Sequence, residues 1–310
     1  MKSLLQQWGT KFKEAEITPI KSRIWQIEAG SRVYILKRRG NRSSVWGEYD
    51  LMGWLISQGL PVSQLLCTIF ETPWAEYEGG IFVLYPYLPG ISGNQVERLE
   101  EGYAQEIGSG LARLHSSLAA YRSGSDFGQF DLFQDVSGYA WPAVRSYLGA
   151  RFRPQLKNIE QEFGRNFVIP YEALPRQLIH CNFHPGNLVF DGNKLSGILD
   201  FDRARIAVRL FDLCFCSSAQ LAADFSDLKR REAWPKFVQD LLRGYGALYP
   251  LSKTEAFLFL YIVYLIQFLF IAYRLDAGNT EGADHNIAML LWINDQHEFL
   301  APIIEKAAEG

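Results

Sequence analysis

Between positions 180 and 200 the chain concentrates side chains that can move protons or hold a cation. His180-Cys181-Asn182-Phe183-His184-Pro185-Gly186-Asn187 is followed, thirteen residues on, by Asp200 in Ile198-Leu199-Asp200-Phe201-Asp202. Imidazole titrates near neutral pH. Carboxamide and carboxylate oxygens, at Asn187 and Asp200, are hard ligands of the type Mg2+ demands. Each residue taken singly has a plainer reading: an Asn after Pro-Gly is an ordinary turn residue, Asp200 a loop cap, His115 and His180 satisfied core histidines. The joint order carries the signal.

The elements that must position these groups change in texture along the chain. Residues 23–37, RIWQIEAGSRVYILK, alternate and are β-branched around a turn at Glu28-Ala29-Gly30-Ser31, which predicts a β-hairpin. Val45 to Ser57 carries apolar residues at helical spacing, closed by Gly59-Leu60-Pro61. Strand-like runs follow at Gln64–Glu71 and Gly80–Tyr85, and Tyr85-Pro86-Tyr87-Leu88-Pro89-Gly90 interrupts both periodicities, marking a lobe boundary. Long helical patterns come after it, at Val96–Leu118, Ala140–Glu162, Trp234–Ala247 and from Thr254. Between them Asp191-Gly192 predicts a hairpin turn joining Asn187–Phe190 to Leu195–Leu199.

Composition narrows the function classes. The 310 residues hold 31 Lys plus Arg against 34 Asp plus Glu, a net charge of −3, with 48% hydrophobic residues. That suffices for a large core and excludes disorder and disulfide-framework miniproteins. Lys37-Arg38-Arg39 is the strongest basic cluster, too short for a nucleic-acid tracking surface. Four scattered cysteines, Cys67, Cys181, Cys214 and Cys216, read as reduced thiols in a cytoplasmic protein. The N-terminus lacks a signal-type apolar run. Ala256–Tyr273 is apolar throughout apart from Gln267 and its tyrosines, and is expected to be a buried core helix rather than a membrane span. Neither a nucleic acid nor a membrane is therefore expected as a partner.

The 180–200 island resembles the aminoglycoside phosphotransferase and choline kinase group, whose run is H-G-D-x-H-P-G-N followed by a hydrophobic strand and I-D-F-D, and whose fold is similar to protein kinases. The match extends upstream to Lys37 of Val33-Tyr34-Ile35-Leu36-Lys37, to Glu48 eleven residues later, to the Pro-rich stretch at 82–90 and to Ile107–His115. Downstream it reaches Asp212. The resemblance implies an α+β, bilobal protein-kinase-like fold: an antiparallel-sheet N-lobe with one helix over residues 1–85, a hinge over 86–93, and a mainly helical C-lobe over 94–310. It implies ATP and Mg2+ as cofactors, bound between the lobes. Lys37 would contact the phosphates and Glu48 would hold its ammonium. Tyr85 and Tyr87 would lie in the adenine-binding hinge, Asn187 and Asp200 would hold the metal, and His180 would brace the catalytic loop.

Two departures bear on activity. The catalytic aspartate position is Asn182, and a carboxamide has no basic oxygen. General-base assistance contributes about 10²–10⁴-fold, so transfer should be weakened more than nucleotide binding, and a silent pseudokinase is the rival reading. His184 and Asp202 are the nearest other bases. The turn Ile20-Lys21-Ser22-Arg23, where the resemblance puts the phosphate cover, lacks glycine; Ser22, with Lys21 and Arg23 beside it, could supply hydroxyl and charge in its place, or the four could form an ordinary solvated turn. The acceptor is expected to be a small-molecule hydroxyl compound: an aminoglycoside, amino alcohol, hydroxy amino acid or sugar.

Overall fold

The computed structural model describes residues 1–96, 102–122, 124–149, 159, 161 and 163–308. The chain is α+β, with antiparallel sheets and long helices, as expected. It forms two compact units. The first comprises Met1–Val96, Ser117–Phe127 and Gly186–Arg203; the second comprises Glu97–Ser116, Gly128–Pro185 and Ala204–Gly310.

The first unit is built on a five-stranded antiparallel sheet of order β1-β2-β3-β5-β4: β1 Glu16–Lys21, β2 Ile24–Ala29, β3 Arg32–Arg39, β4 Ala75–Tyr77 and β5 Gly80–Pro86. Period-two alternation gives β3 two characters. Tyr34 and Leu36 are buried in a core with Leu4, Leu5, Trp8, Phe12, Ile27, Phe82 and Leu84. Ile35, Lys37 and Arg39 take the other face. The expected hairpin is present, with Gly30 at φ +63° in its turn.

Helix α1, Ser43–Ser57, buries Val45, Leu51, Met52 and Leu55 together with Glu48. Its end is a Schellman-type closure: Gly59 sits at φ +76° and Leu60 N–H donates to Leu55 O at 3.0 Å. A three-stranded sheet of order β6-β8-β9 completes the unit, from Ile91–Ser92, Leu188–Asp191 and Lys194–Ile198; its hairpin turns at Gly192-Asn193, one residue beyond the expected Asp191-Gly192, because Asp191 still pairs with Lys194.

One expectation fails here. Gln64–Glu71 is not a strand; Leu66 N–H reaches Leu84 O, but the chain then folds into a turn closed by Thr68 and Thr72. Ile69 and Phe70 are left exposed, because the local hydroxyl bonds compete with the ladder.

The second unit contains helices α2 (Tyr103–Ala120, up to Ser116), α3 (Leu132–Asp135), α4 (Trp141–Leu148), α5 (Val168–Glu172), α6 (Leu210–Asp224), α7 (Trp234–Gly246), α8 (Lys253–Asp276), α9 (Thr280–Asp295) and α10 (His297–Ala308). A π-helical turn, Val136–Ala140, joins α3 to α4, so the helical run expected to begin at Ala140 begins earlier. Parts of two predicted helices, 97–101 and most of 150–162, lie outside the described residues.

Strands β7 (Arg176–Ile179) and β10 (Arg205–Val208) pair antiparallel. Helices α2 and α7 touch backbone to backbone: a Cβ on Gly108 would lie 2.0 Å from Leu241 O, and one on Gly244 would lie 2.1 Å from Gln105 O.

The apolar segment is the core helix α8. It is long and apolar enough to cross a membrane, yet 83% of that stretch is buried inside the protein. A capping box starts it, with Glu255 N–H donating to Ser252 Oγ and Ser252 N–H donating to Glu255. The Glu255 carboxylate also receives the Arg209 guanidinium at 2.6 and 2.8 Å. Cys214 and Cys216 are buried thiols on α6, both pushed up by burial.

Candidate active site

In the first unit the structure brings four of the expected residues together on one face of the sheet. Lys37 Nζ lies 2.5 Å from Asp200 Oδ1 although 163 residues separate them. Lys37 leaves β3 on the face away from the core. Asp200 follows β9 in a left-handed conformation, φ +71°, that non-glycine residues seldom adopt. The turn holding it is tied by Leu199 N–H donating to Asn187 O at 2.8 Å, which seats Asn187 beside the same turn. Lys37 also stands 5.5 Å above the centre of the Tyr85 ring.

Glu48 does not hold Lys37, contrary to expectation. Its Oε2 is 2.7 Å from Arg39 Nη1, and its Oε1 accepts a hydrogen bond from the Tyr85 hydroxyl at 2.6 Å. Arg39 in turn donates to the Tyr85 oxygen at 3.3 Å. The reason is reach and chemistry. Arg39 is two residues beyond Lys37 on the same strand face, and a single guanidinium nitrogen, Nη1, meets both the carboxylate and the hydroxyl. Burial pushes the Glu48 carboxyl up against the opposing pull of Arg39, and pushes the Tyr85 hydroxyl well up. Glu48 Oε2 makes no directed hydrogen bond, so its tie to Arg39 is an ion pair. By sequence Arg39 stands out only as part of the basic cluster Lys37-Arg38-Arg39. The two-residue period from Lys37 was the signal that could have singled it out.

Two further expected residues are placed less directly. Tyr87 is 44% exposed, and its backbone N–H extends the ladder by donating to Val33 O at 3.0 Å. Its side chain, not its amide, is what it offers. Ser63 donates to the neighbouring Pro86 O at 2.8 Å. Ser22 is exposed in the β1–β2 turn, where Arg23 rather than a glycine takes the left-handed position at φ +65°.

His180, Asn182 and His184 belong to the second unit. His180 is fully buried; its backbone N–H donates to Asp212 Oδ2 at 2.8 Å and its Nδ1 accepts from Asn182 N–H at 3.2 Å. The same Asp212 oxygen lies 3.1 Å from His115 Nε2, whose Nδ1 is 2.9 Å from the Tyr245 hydroxyl. A carboxylate only accepts, so His115 donates to it from Nε2. This brace holds residues 180–182 in place, and Cys181 is bent to φ +57° within it. The Asn182 side chain is partly exposed, and His184 packs edge-on to Phe215 with ring centres 6.0 Å apart.

The donor set suits a magnesium nucleotide. Asp200 and Asn187 supply hard oxygens, and Lys37 supplies a partly exposed cation beside them. Among the described residues no group of three or more His, Cys, Asp and Glu forms a denser cation site.

Comparison with known proteins agrees with this chemistry. The homoserine kinase of Gluconobacter oxydans is 29% identical over 230 residues, which cover 71% of this chain and 67% of that protein. The homoserine kinase of Brucella anthropi is 27% identical over 234 residues, covering 74% and 67%. Among solved structures, the microcompartment-associated aminopropanol kinase superposes with a TM-score of 0.76 at 14% identity, covering 97% of this chain and 98% of that one. An aminoglycoside phosphotransferase from Alicyclobacillus acidocaldarius gives 0.75 at 15% identity, covering 100% and 97%. These superpositions establish a kinase-like fold. The sequence model of the phosphotransferase enzyme family matches residues 16–256, most of the chain and every candidate site residue named above, so this protein belongs to that family.

Proposed function

We propose that the protein moves the γ-phosphate of ATP to the hydroxyl of a small amine-bearing acceptor, at a rate limited by Asn182. The observation that carries this reading is the Lys37–Asp200 pair at 2.5 Å, a cation and a hard anion held together and still partly open to water. Lys37 would contact the phosphates, and Asp200 and Asn187 would hold Mg2+, which when bound neutralises triphosphate charge. Asn182 would orient the acceptor through its carboxamide without taking its proton.

The relatives' acceptors, homoserine, aminopropanol and aminoglycosides by their names, all carry an amine beside a hydroxyl. Amino alcohols and hydroxy amino acids are therefore the acceptors to try first. All four cysteines are free, and one is exposed, which suits the reducing cytoplasm where Mg·ATP is supplied.

A second reading rests on Asn182 itself: a nucleotide-binding pseudokinase acting through partners. Asn182→Asp separates the two. Restoring the base should raise ATP turnover with the right acceptor by about 10²–10⁴-fold. An Asn182→Asp protein that binds Mg·ATP and turns over no faster across aminoglycosides, amino alcohols, hydroxy amino acids and sugars supports the pseudokinase.

A further inference from the structure

Lys37 and Arg39 share one face of β3 and divide two carboxylates between them. Lys37 takes Asp200 and Arg39 takes Glu48; among the described residues no Lys37–Glu48 ion pair forms. The division is unequal in burial. The Lys37 and Asp200 side chains keep 19% and 27% of their surface, whereas Arg39 and Glu48 keep 7% and 4%. A partly wet pair exchanges partners at little cost. A buried pair does not, because either member left alone is a desolvated charge. Glu48 is therefore committed to Arg39.

Tyr85 links the two pairs. Its hydroxyl donates to Glu48 and accepts from Arg39, while its ring lies under the Lys37 ammonium. The hydroxyl has a fixed direction and the ring is rigid, so whatever fixes the oxygen fixes the platform. Resting on the nucleotide site argued above, we propose that Arg39 is a positioning residue for that site: it holds Glu48, and the two together fix the Tyr85 ring against which Lys37 is aimed. Glu48 acts on Lys37 through the tyrosine rather than through a direct ion pair.

The test is a set of double-mutant cycles on the full chain, reading the Kd for Mg·ADP by calorimetry and the urea midpoint without ligand. Arg39→Met and Glu48→Gln should each weaken Mg·ADP binding about tenfold, and the double variant no more than either alone, since residues in one network are coupled. Lys37→Met should likewise shrink the effect of Glu48→Gln on Kd, because Glu48 reaches the nucleotide only through the lysine it helps to aim.

Tyr85→Phe keeps the ring and removes the link. It should weaken binding several-fold and shrink the effect of Arg39→Met on Kd. Arg39→Lys, a milder change should Arg39→Met unfold, should weaken binding because the guanidinium that reaches both Glu48 and the Tyr85 oxygen is lost although the charge remains.

Unchanged Mg·ADP affinity in Arg39→Met or Arg39→Lys, with only the urea midpoint lowered, would make Arg39 merely structural and overturn the proposal. So would Lys37–Glu48 coupling with Arg39–Glu48 additivity. A wild-type chain that binds no Mg·ADP removes the nucleotide site itself, and this inference with it. Binding that is indifferent to Arg39 removes the inference alone.

Discussion

The first unit and the second both gather acids and bases around a residue of the sequence motif, but they do so under opposite solvent conditions. Around Lys37 two cations meet two carboxylates, and the Lys37–Asp200 half stays partly wet. Around His180 a single carboxylate, Asp212, serves a backbone amide and a histidine, with His115, His180, Asp212 and Tyr245 all at 0% exposure. The first arrangement can release a partner to a ligand. The second cannot release one without leaving a buried polar group unsatisfied. Handling a ligand and bracing a loop thus call for similar residue types at different burial.

The sharpest way to break this contrast is to make the same change in both places. Asp212→Asn should cost about 3–5 kcal/mol in urea unfolding, since it disrupts a fully buried acid–base network. Asp200→Asn should cost less than about 1 kcal/mol, as for a partly solvated pair, while removing Mg-dependent nucleotide affinity. Equal costs would show that the two networks do not differ as described.

The rigidity of the second network depends on how closely α2 and α7 approach. Gly244 precedes Tyr245, and Gly108 lies two turns before His115 on the helix that presents it. Gly244→Ala would drive a Cβ into the Gln105 carbonyl at 2.1 Å, and should cost about 1–3 kcal/mol or more by overpacking. Thermal unfolding of Gly244→Ala and Gly108→Ala, each compared with Gly246→Ala, where a Cβ would meet nothing within 4 Å, checks this. If all three melt alike, the helices are not in the contact that delivers Tyr245 to His115.

A smaller effect should appear at alkaline pH, at the edge of the second unit. The Tyr171 hydroxyl lies 3.2 Å from Asp131 Oδ1, and burial, with the Asp131 charge adding to it, pushes its pKa up to about 12. The unfolded value is near 10. A raised folded-state pKa means that the stabilisation is whole below pH 10 and is lost as pH rises through about 12. It is on the order of 2 kcal/mol. The stability gap between wild type and Tyr171→Phe should therefore close over that window. A gap that persists above pH 12 would contradict the assignment.

Much of the site was legible because the motif residues are ordered along the chain and local geometry serves them. The 188–198 hairpin turns at Gly192-Asn193, within one residue of the expected place, because Gly192 takes the left-handed conformation that a two-residue turn needs. Helix α1 was readable from its apolar spacing and its Gly59 stop. What was misread depended on competition between partners. Gln64–Glu71 has strand-like residues but follows its own threonine bonds. The π-turn at Val136–Ala140 has no local signature, and α6, most of it buried and with polar residues among the buried ones, was visible only as the Asp212 match.

By itself the sequence determined the class of chemistry, the α+β character, the core helix Ala256–Tyr273 and the identities of Lys37, Asp200, Asn187, Asn182 and His180, since these follow from residue type, order and period. Only the tertiary structure decided which acid belongs to which base. Glu48 could have answered either cation. Burial settled the matter, because the deeper carboxylate is satisfied by the charge of Arg39 and the hydroxyl of Tyr85, and the wetter one by Lys37. Pairing energies in a protein depend on how much water each partner gives up, and no spacing rule records that.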